Sequence, residues 1–164
     1  LFAKLLGLGW VGVVDPLPEK RSRADSLGAD RVFELKDPEL ERLPEVLGQP
    51  LDAVVDAVGQ ESIINSAVPL VRMGGSVCIY GVLANPTVNV EKDSGPYNFN
   101  LLFHQWPTRT EEAAAQEPLV DLIREGKVDQ RMFKTAEYAV EDINEALAET
   151  RRPTAIKTML RLRG

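Results

Sequence analysis

The chain has a single cysteine, Cys78, and a single histidine, His104, among its 164 residues. One cysteine excludes an internal disulfide, and one cysteine with one histidine excludes a Cys/His zinc site built from this chain alone. Aromatic residues amount to only 6%, and no apolar run approaches the roughly 18 residues that a membrane-spanning helix needs. No signal-peptide pattern is visible, so the cytoplasm is the expected location. The 19 basic residues are outnumbered by 25 acidic ones, and a net charge of -6 argues against a nucleic-acid or anionic-membrane surface. Local basic groups, Arg151 with Arg152 and Arg161 with Arg163, then read as solvated edges. What is present is ordinary globular composition, 44% hydrophobic and 27% charged, with enough length for one buried core. The chain opens at Leu1 inside an apolar pattern, so it is expected to be a piece of something longer.

The run LGLGWVGVVD, Leu6 to Asp15, spells G-x-G-x-x-G at Gly7, Gly9 and Gly12. A phosphate-cradling loop needs a strand before those glycines and a helix after them. Here the order is reversed. Phe2 to Leu6 fits the last turns of a helix, with Gly7 or Gly9 as its left-handed cap, and WVGVVD is β-rich and ends in an acid. PEKRSRADSLG then predicts a second helix closed by Gly28, and RVFEL, residues 31–35, a strand. A weak helix lies between Asp37 and Gly48, followed by LDAVVDAVG, an apolar run of the type buried on both faces of a parallel sheet.

ESIINSAVPLVRMGG carries apolar residues at helical spacing and a glycine stop, and SVCIYGVL, residues 76–83, is a further buried strand. Residues 84–96 form a long loop, and YNFNLLFHQW an edge strand. Helices are predicted over 110–125, ending at Gly126, and over 140–150, with a last strand within 155–162. Alternating strands and helices with short connections predict an α/β fold with a doubly wound parallel sheet.

In such a sheet, ligands bind beyond the carboxyl ends of the strands. Asp15 closes one of these strands, and an acid closing the second strand of such a fold accepts hydrogen bonds from an adenosine ribose and repels a 2'-phosphate; an acid there is also common in ordinary turns. Gly59 and Gly81 close later strands, where a side chain would obstruct a flat nicotinamide ring, or they are plain strand-end turns. Asp56 marks the last buried position of its strand. His104 is read as structural or partly exposed and Cys78 as a small core residue. The acid pairs Glu111-Glu112 and Glu141-Asp142 complement helix dipoles.

The succession GLGWVGVVDP, EKRSRADSLGADRVF, LDAVVDAVG, PLVRMGGSVCIYGV, LVDLIREGKVD and YAVEDINEALAETRRPTAIKTML resembles the cofactor-binding and C-terminal portions of the medium-chain, zinc-type alcohol and polyol dehydrogenases. The resemblance implies an incomplete Rossmann-type domain over residues 1–106 and, over 107–164, a segment that runs back into a catalytic domain. By the same resemblance, Asp15 is the ribose-binding acid of an NAD site and Lys20 the basic residue beside the adenosine. Val58, Gly59, Tyr80, Gly81 and Val82 flank the nicotinamide. Lys157 stands where the family carries a basic residue near the pyrophosphate, often Arg, and supplies a point charge instead of a fork.

The family's first Rossmann strand, glycine loop, catalytic zinc ligands and N-terminal catalytic domain have no counterpart in the sequence. The expected activity is therefore zinc-assisted hydride transfer between a secondary alcohol or polyol and NAD in a longer enzyme, with zinc held only there and this chain inactive alone. A homo-oligomer through the strand near residues 97–103 is implied. Two other readings are a non-catalytic nucleotide-binding or scaffolding remnant, and a zinc-free NADPH quinone reductase, which Asp15 disfavours.

Overall fold

The computed structural model describes residues 1–134 and 136–162, so Arg163 of the C-terminal basic group lies outside the described residues. The chain divides into two compact units, residues 36–112 and residues 1–35 together with the segment from Ala113 onward.

In the unit that contains residues 1–35, α1 (Phe2–Leu5) ends as the sequence indicates. Gly7 takes φ +86°, its N–H reaches the Lys4 carbonyl at 3.0 Å, and the Leu8 N–H reaches that of Ala3 at 3.0 Å. This double bond pattern terminates a helix and turns the chain away from its axis. Strand β1 (Gly12–Val14), helix α2 (Pro18–Ser26) and strand β2 (Arg31–Phe33) follow, and β1 and β2 pair in parallel from Gly12 with Arg31 to Val14 with Phe33. Both strands are shorter than the runs WVGVVD and RVFEL. Phe33 is buried, and the Arg31 guanidinium lies 5.2 Å from the centre of its ring. Further on, β6 (Ala136–Ala139), α7 (Ile143–Thr150) and β7 (Thr158–Arg161) form a second parallel pair, with Ala146 of α7 buried. The Glu137 carboxylate lies between Lys134 and Arg161, which ties β6 to β7.

The other unit begins with the short helices α3 (Pro38–Glu41) and α4 (Leu43–Leu47), the weak helical region between Asp37 and Gly48. Three parallel strands follow in the order β3 (Leu51–Asp56), β4 (Val71–Ile79), β5 (Asn100–Phe103), with α5 (Glu61–Ala67) between the first two. Ile64, Ala67, Val68, Val71, Val77 and Ile79 make the core, onto which Val54, Leu83, Val88, Val90 and Leu101 pack. β5 is an edge strand, as the composition of YNFNLLFHQW indicates.

Two expectations are corrected here. The helix does not continue to the glycine pair: Pro69 sits in a 3-10 turn, Val68–Leu70, and β4 begins at Val71 and takes in Arg72 to Gly75. Proline removes one helical hydrogen bond and disfavours helical backbone before it, and the apolar spacing of Val68 and Val71 suits either state. Residues 80–83 consequently lie beyond the strand. Nor is β3 buried on both faces: Val54 faces the core, while Val55 is 63% exposed. α5 packs on one face of the sheet, and in the row on the other face Val55 and Leu102 are exposed while Cys78 is half-buried.

Helix α6 (Arg109–Arg124) starts with a reciprocal cap. The Glu111 N–H donates to Thr108 Oγ1 at 3.2 Å and the Thr108 N–H donates to Glu111 Oε2 at 2.8 Å. The Thr108 amide, and after it the Thr108 hydroxyl, hold the Glu111 carboxyl below its ordinary range.

Candidate functional site

The carboxyl ends of β3, β4 and β5 meet at one edge of their sheet, and the residues there are fixed by backbone hydrogen bonds. Asp56, the last residue of β3, is 1% exposed. Its Oδ1 accepts the N–H of Val58 at 2.8 Å and that of Gly59 at 3.0 Å, while Oδ2 accepts Gly59 at 3.1 Å and Gln60 at 3.2 Å. A carboxyl group is tolerated at this depth only when its oxygens are bonded, and here three consecutive amides provide for it. Its backbone carbonyl takes the N–H of Tyr80 at 2.8 Å and of Gly81 at 2.9 Å, which carries the same anchor to the end of β4. Past β5, the His104 N–H donates to the Ile79 carbonyl at 2.9 Å and Gln105 Nε2 donates to the Gly81 carbonyl at 2.9 Å.

The two strand-end turns touch backbone to backbone at their glycines. A methyl group on Gly81 would overlap the Gly59 nitrogen and the Val58 carbonyl carbon, and would stand 2.6 Å from the Val58 nitrogen. A methyl on Gly59 would overlap the Val82 carbonyl oxygen and stand 2.6 Å from its carbon, and Gly59 also takes φ +86°, where an L side chain is strained. Sequence reasoning placed these glycines at strand ends; the structure adds that each excludes a side chain at the other. Around them Val58, Tyr80 and Val82 are exposed, Tyr80 at 62% and Val82 at 73%. The structure thus brings together Val58, Gly59, Tyr80, Gly81 and Val82. A cleft of about 270 Å³ adjoins them, lined by Gly59 to Ser62 and by residues of the loop from Leu83 to Val88. Glu61 and Asn65 of α5 hold the far end of that loop: Glu61 Oε2 accepts the Asn89 N–H at 2.9 Å, and Asn65 bonds the Asn89 carbonyl and the Glu91 N–H.

Asp15 lies in the other unit, at the carboxyl end of β1. Its N–H continues the ladder to the Phe33 carbonyl at 3.1 Å, and its Oδ1 accepts the Leu17 N–H at 2.8 Å. Arg21 of α2 clasps the Asp15 and Pro16 carbonyls at 2.7 and 2.9 Å, which fixes the turn. Lys20 is half-buried in the first turn of α2, and Lys157 is exposed just before β7.

The G-x-G-x-x-G letters have other employment. The Lys4 ammonium bonds the Gly9 carbonyl at 2.9 Å and Asp30 at 2.8 Å, and Asp30 Oδ2 accepts the Val11 N–H at 2.7 Å. These bonds, the Lys4 contact foremost, hold the Asp30 carboxyl below its ordinary range. Gly12 is covered by the ring of Trp10. Polar groups of this stretch are therefore engaged within the junction between helix and strand.

His104 is exposed, and Cys78 is half-buried in β4 with its thiol free. Among the described residues no cluster of His, Cys, Asp and Glu could hold a metal ion, and no helix is long and apolar enough to cross a membrane. Sequence reasoning missed Gln105, Arg21 and the amide-capping role of the Asp56 carboxylate. The D-x-x-G spacing at Asp56 was a usable signal for the last, since Asp bonds backbone amides two and three residues on.

Parallel strands joined by helices, with glycine turns and an acid at their carboxyl ends, define an α/β protein of Rossmann type whose sheet is incomplete. Residues 1–105 match the family model of the zinc-binding dehydrogenases, and the chain belongs to that family. It is 30% identical over 154 residues to an NDMA-dependent alcohol dehydrogenase of Amycolatopsis methanolica, a match over 88% of this chain and 40% of that protein. A sorbitol dehydrogenase of Halalkalibacterium halodurans is 23% identical over 144 residues, covering 84% of this chain and 40% of its own length. Among solved structures, an alcohol dehydrogenase of Escherichia coli CFT073 in complex with NADH superimposes with a TM-score of 0.77 at 16% identity, over 96% of this chain and 46% of that one. The chain spans about 40% of the length of the curated relatives it matches.

Proposed function

We propose that the chain forms part of the cofactor site of an NAD-dependent dehydrogenase that moves a hydride between a secondary alcohol or polyol and the nicotinamide. The observation that carries the reading is the interlocked pair of turns at Gly59 and Gly81, in backbone contact at the carboxyl ends of adjacent parallel strands. The alcohol and sorbitol dehydrogenases among its relatives support the substrate class of this reading.

The residues present suit NAD unit by unit: a carboxylate at the end of β1 in one, and in the other a pair of glycine turns that carry no side chains of their own. The nicotinamide supplies the hydride acceptor. Asp15 accepts hydrogen bonds from the ribose hydroxyls of the adenosine and repels a 2'-phosphate, with Lys20 beside it. Val58, Gly59, Tyr80, Gly81 and Val82 present backbone to the nicotinamide end, and Lys157 places its charge toward the pyrophosphate. Among the described residues no set of side chains fits zinc; in this reading its ligands and the proton-transferring groups belong to the catalytic domain of a longer enzyme. A second copy pairs along the free edge of β5, and the enzyme works in the cytoplasm.

The test follows NADH formation by the full-length protein with NAD and a panel of secondary alcohols and polyols. Turnover of at least one of them is the expected result. Reduction of quinones with NADPH and no alcohol oxidation would overturn the reading, as would alcohol turnover by the isolated 164-residue chain.

A further inference from the structure

We infer that Asp56 and Gln105 are positioning residues that lock the two turns facing the nicotinamide, so that the alignment of that end of the cofactor depends on side chains that do not touch it. The inference rests on the cofactor reading above and extends it to residues which that reading leaves without a role.

The turn at Tyr80 to Val82 is gripped from both neighbouring strands. From β3, the Asp56 carbonyl receives the Tyr80 and Gly81 N–H groups, while the carboxylate of the same residue gathers the amides of Val58, Gly59 and Gln60. One residue therefore fixes its own turn with its side chain and the adjacent turn with its main chain. Just past β5, Gln105 reaches back and donates to the Gly81 carbonyl at 2.9 Å. Gly59 and Gly81 are in backbone contact, so a shift of either turn moves both. A carboxylate that is 1% exposed and bonded to neutral amides is costly to bury. An apolar residue would end β3 at lower cost, but it would leave three amides of the turn without an acceptor. The arrangement holds groups in place before a ligand arrives, which saves the ordering cost at binding.

Because Asp15 anchors its own turn through Leu17 and Arg21, loosening the glycine turns should weaken the nicotinamide end alone. The experiment titrates the full-length protein with NADH and, separately, with ADP-ribose, which lacks the nicotinamide. Gln105→Leu removes the bond to Gly81, and Gln105→Glu keeps the shape but sets an acceptor against the carbonyl. Loss of one neutral hydrogen bond corresponds to roughly a fivefold rise in Kd. The expected result is that rise, or a larger one for Gln105→Glu, with NADH, a changed fluorescence of bound NADH, and ADP-ribose affinity held within about twofold. Thermal melting separates folding from positioning: both variants are expected to melt cooperatively. Unchanged NADH affinity in both variants, or equal weakening of NADH and ADP-ribose, overturns the inference while the cofactor reading stands. Wild-type protein that binds neither ligand overturns the cofactor reading and the inference with it.

Discussion

Gly81→Ala is the substitution for which the structure gives the sharpest expectation. The added methyl would overlap the Gly59 nitrogen and the Val58 carbonyl carbon and lie 2.6 Å from the Val58 nitrogen, all of them backbone atoms. Ordinary carbon contacts lie at about 3.5 to 4 Å, so the turns must part by about an ångström. Neither turn yields cheaply, because the Asp56 carboxylate holds three amides of one and the Asp56 carbonyl and Gln105 hold the other. Overpacking of this kind costs about 1 to 3 kcal/mol, and rigid surroundings put this case toward the upper end, near 2 to 3 kcal/mol. Urea unfolding of wild-type and variant protein measures the loss, and an NADH titration on the same samples measures the displaced turn. A loss below about 0.5 kcal/mol with unchanged NADH affinity would refute the reasoning, since surface changes ordinarily fall in that range.

Other expectations follow from the same geometry. Gly9→Ala meets open space at ordinary backbone angles, so it should leave both stability and cofactor affinity unchanged; loss of cofactor binding would show that these glycines cradle phosphate after all. Thr108→Ala removes the hydroxyl half of the reciprocal cap of α6, the acceptor for the Glu111 N–H, and should cost about 1 kcal/mol in urea unfolding. The Glu137 carboxyl is held below its ordinary value of 4.5, first by Lys134 and then by Arg161. The unfolded chain then binds more protons than the folded one in mildly acid solution, so this contribution is complete above about pH 4.5 and is lost as the pH falls below it. Glu137→Gln should flatten that part of the stability profile, and an identical acid limb in the variant would contradict the assignment.

Much of the fold was legible because its punctuation is local. Gly7, Gly28, Gly48 and Gly126 all adopt positive φ at the ends of helices, and Pro18 and Pro38 open α2 and α3 as a missing N–H allows. Capping is decided within a few residues, so a sequence can display it. The start of β4 was not legible: Val68 and Val71 satisfy a helical period and a strand equally, and only Pro69 favours the strand. The exposure of Val55 was hidden for a different reason, since an apolar run shows what could be buried and not what is available to cover it. The strand-end positions of Asp15 in one unit and of Gly59 and Gly81 in the other could be read from pattern and resemblance. The grip of Gln105 on Gly81 could not, because it joins residues 24 apart and depends on the parallel register of β4 with β5.

The central claim is that the acid closing β1 selects the cofactor, and one comparison tests it most directly. Affinities of the full-length protein for NAD and NADP are measured before and after Asp15→Ser. Preference for NAD in the wild type, with NADP affinity rising by about tenfold or more in the variant as the repulsion is removed, is the expected result. Equal affinity for the two cofactors in the wild type, or a preference that Asp15→Ser leaves unmoved, would contradict it.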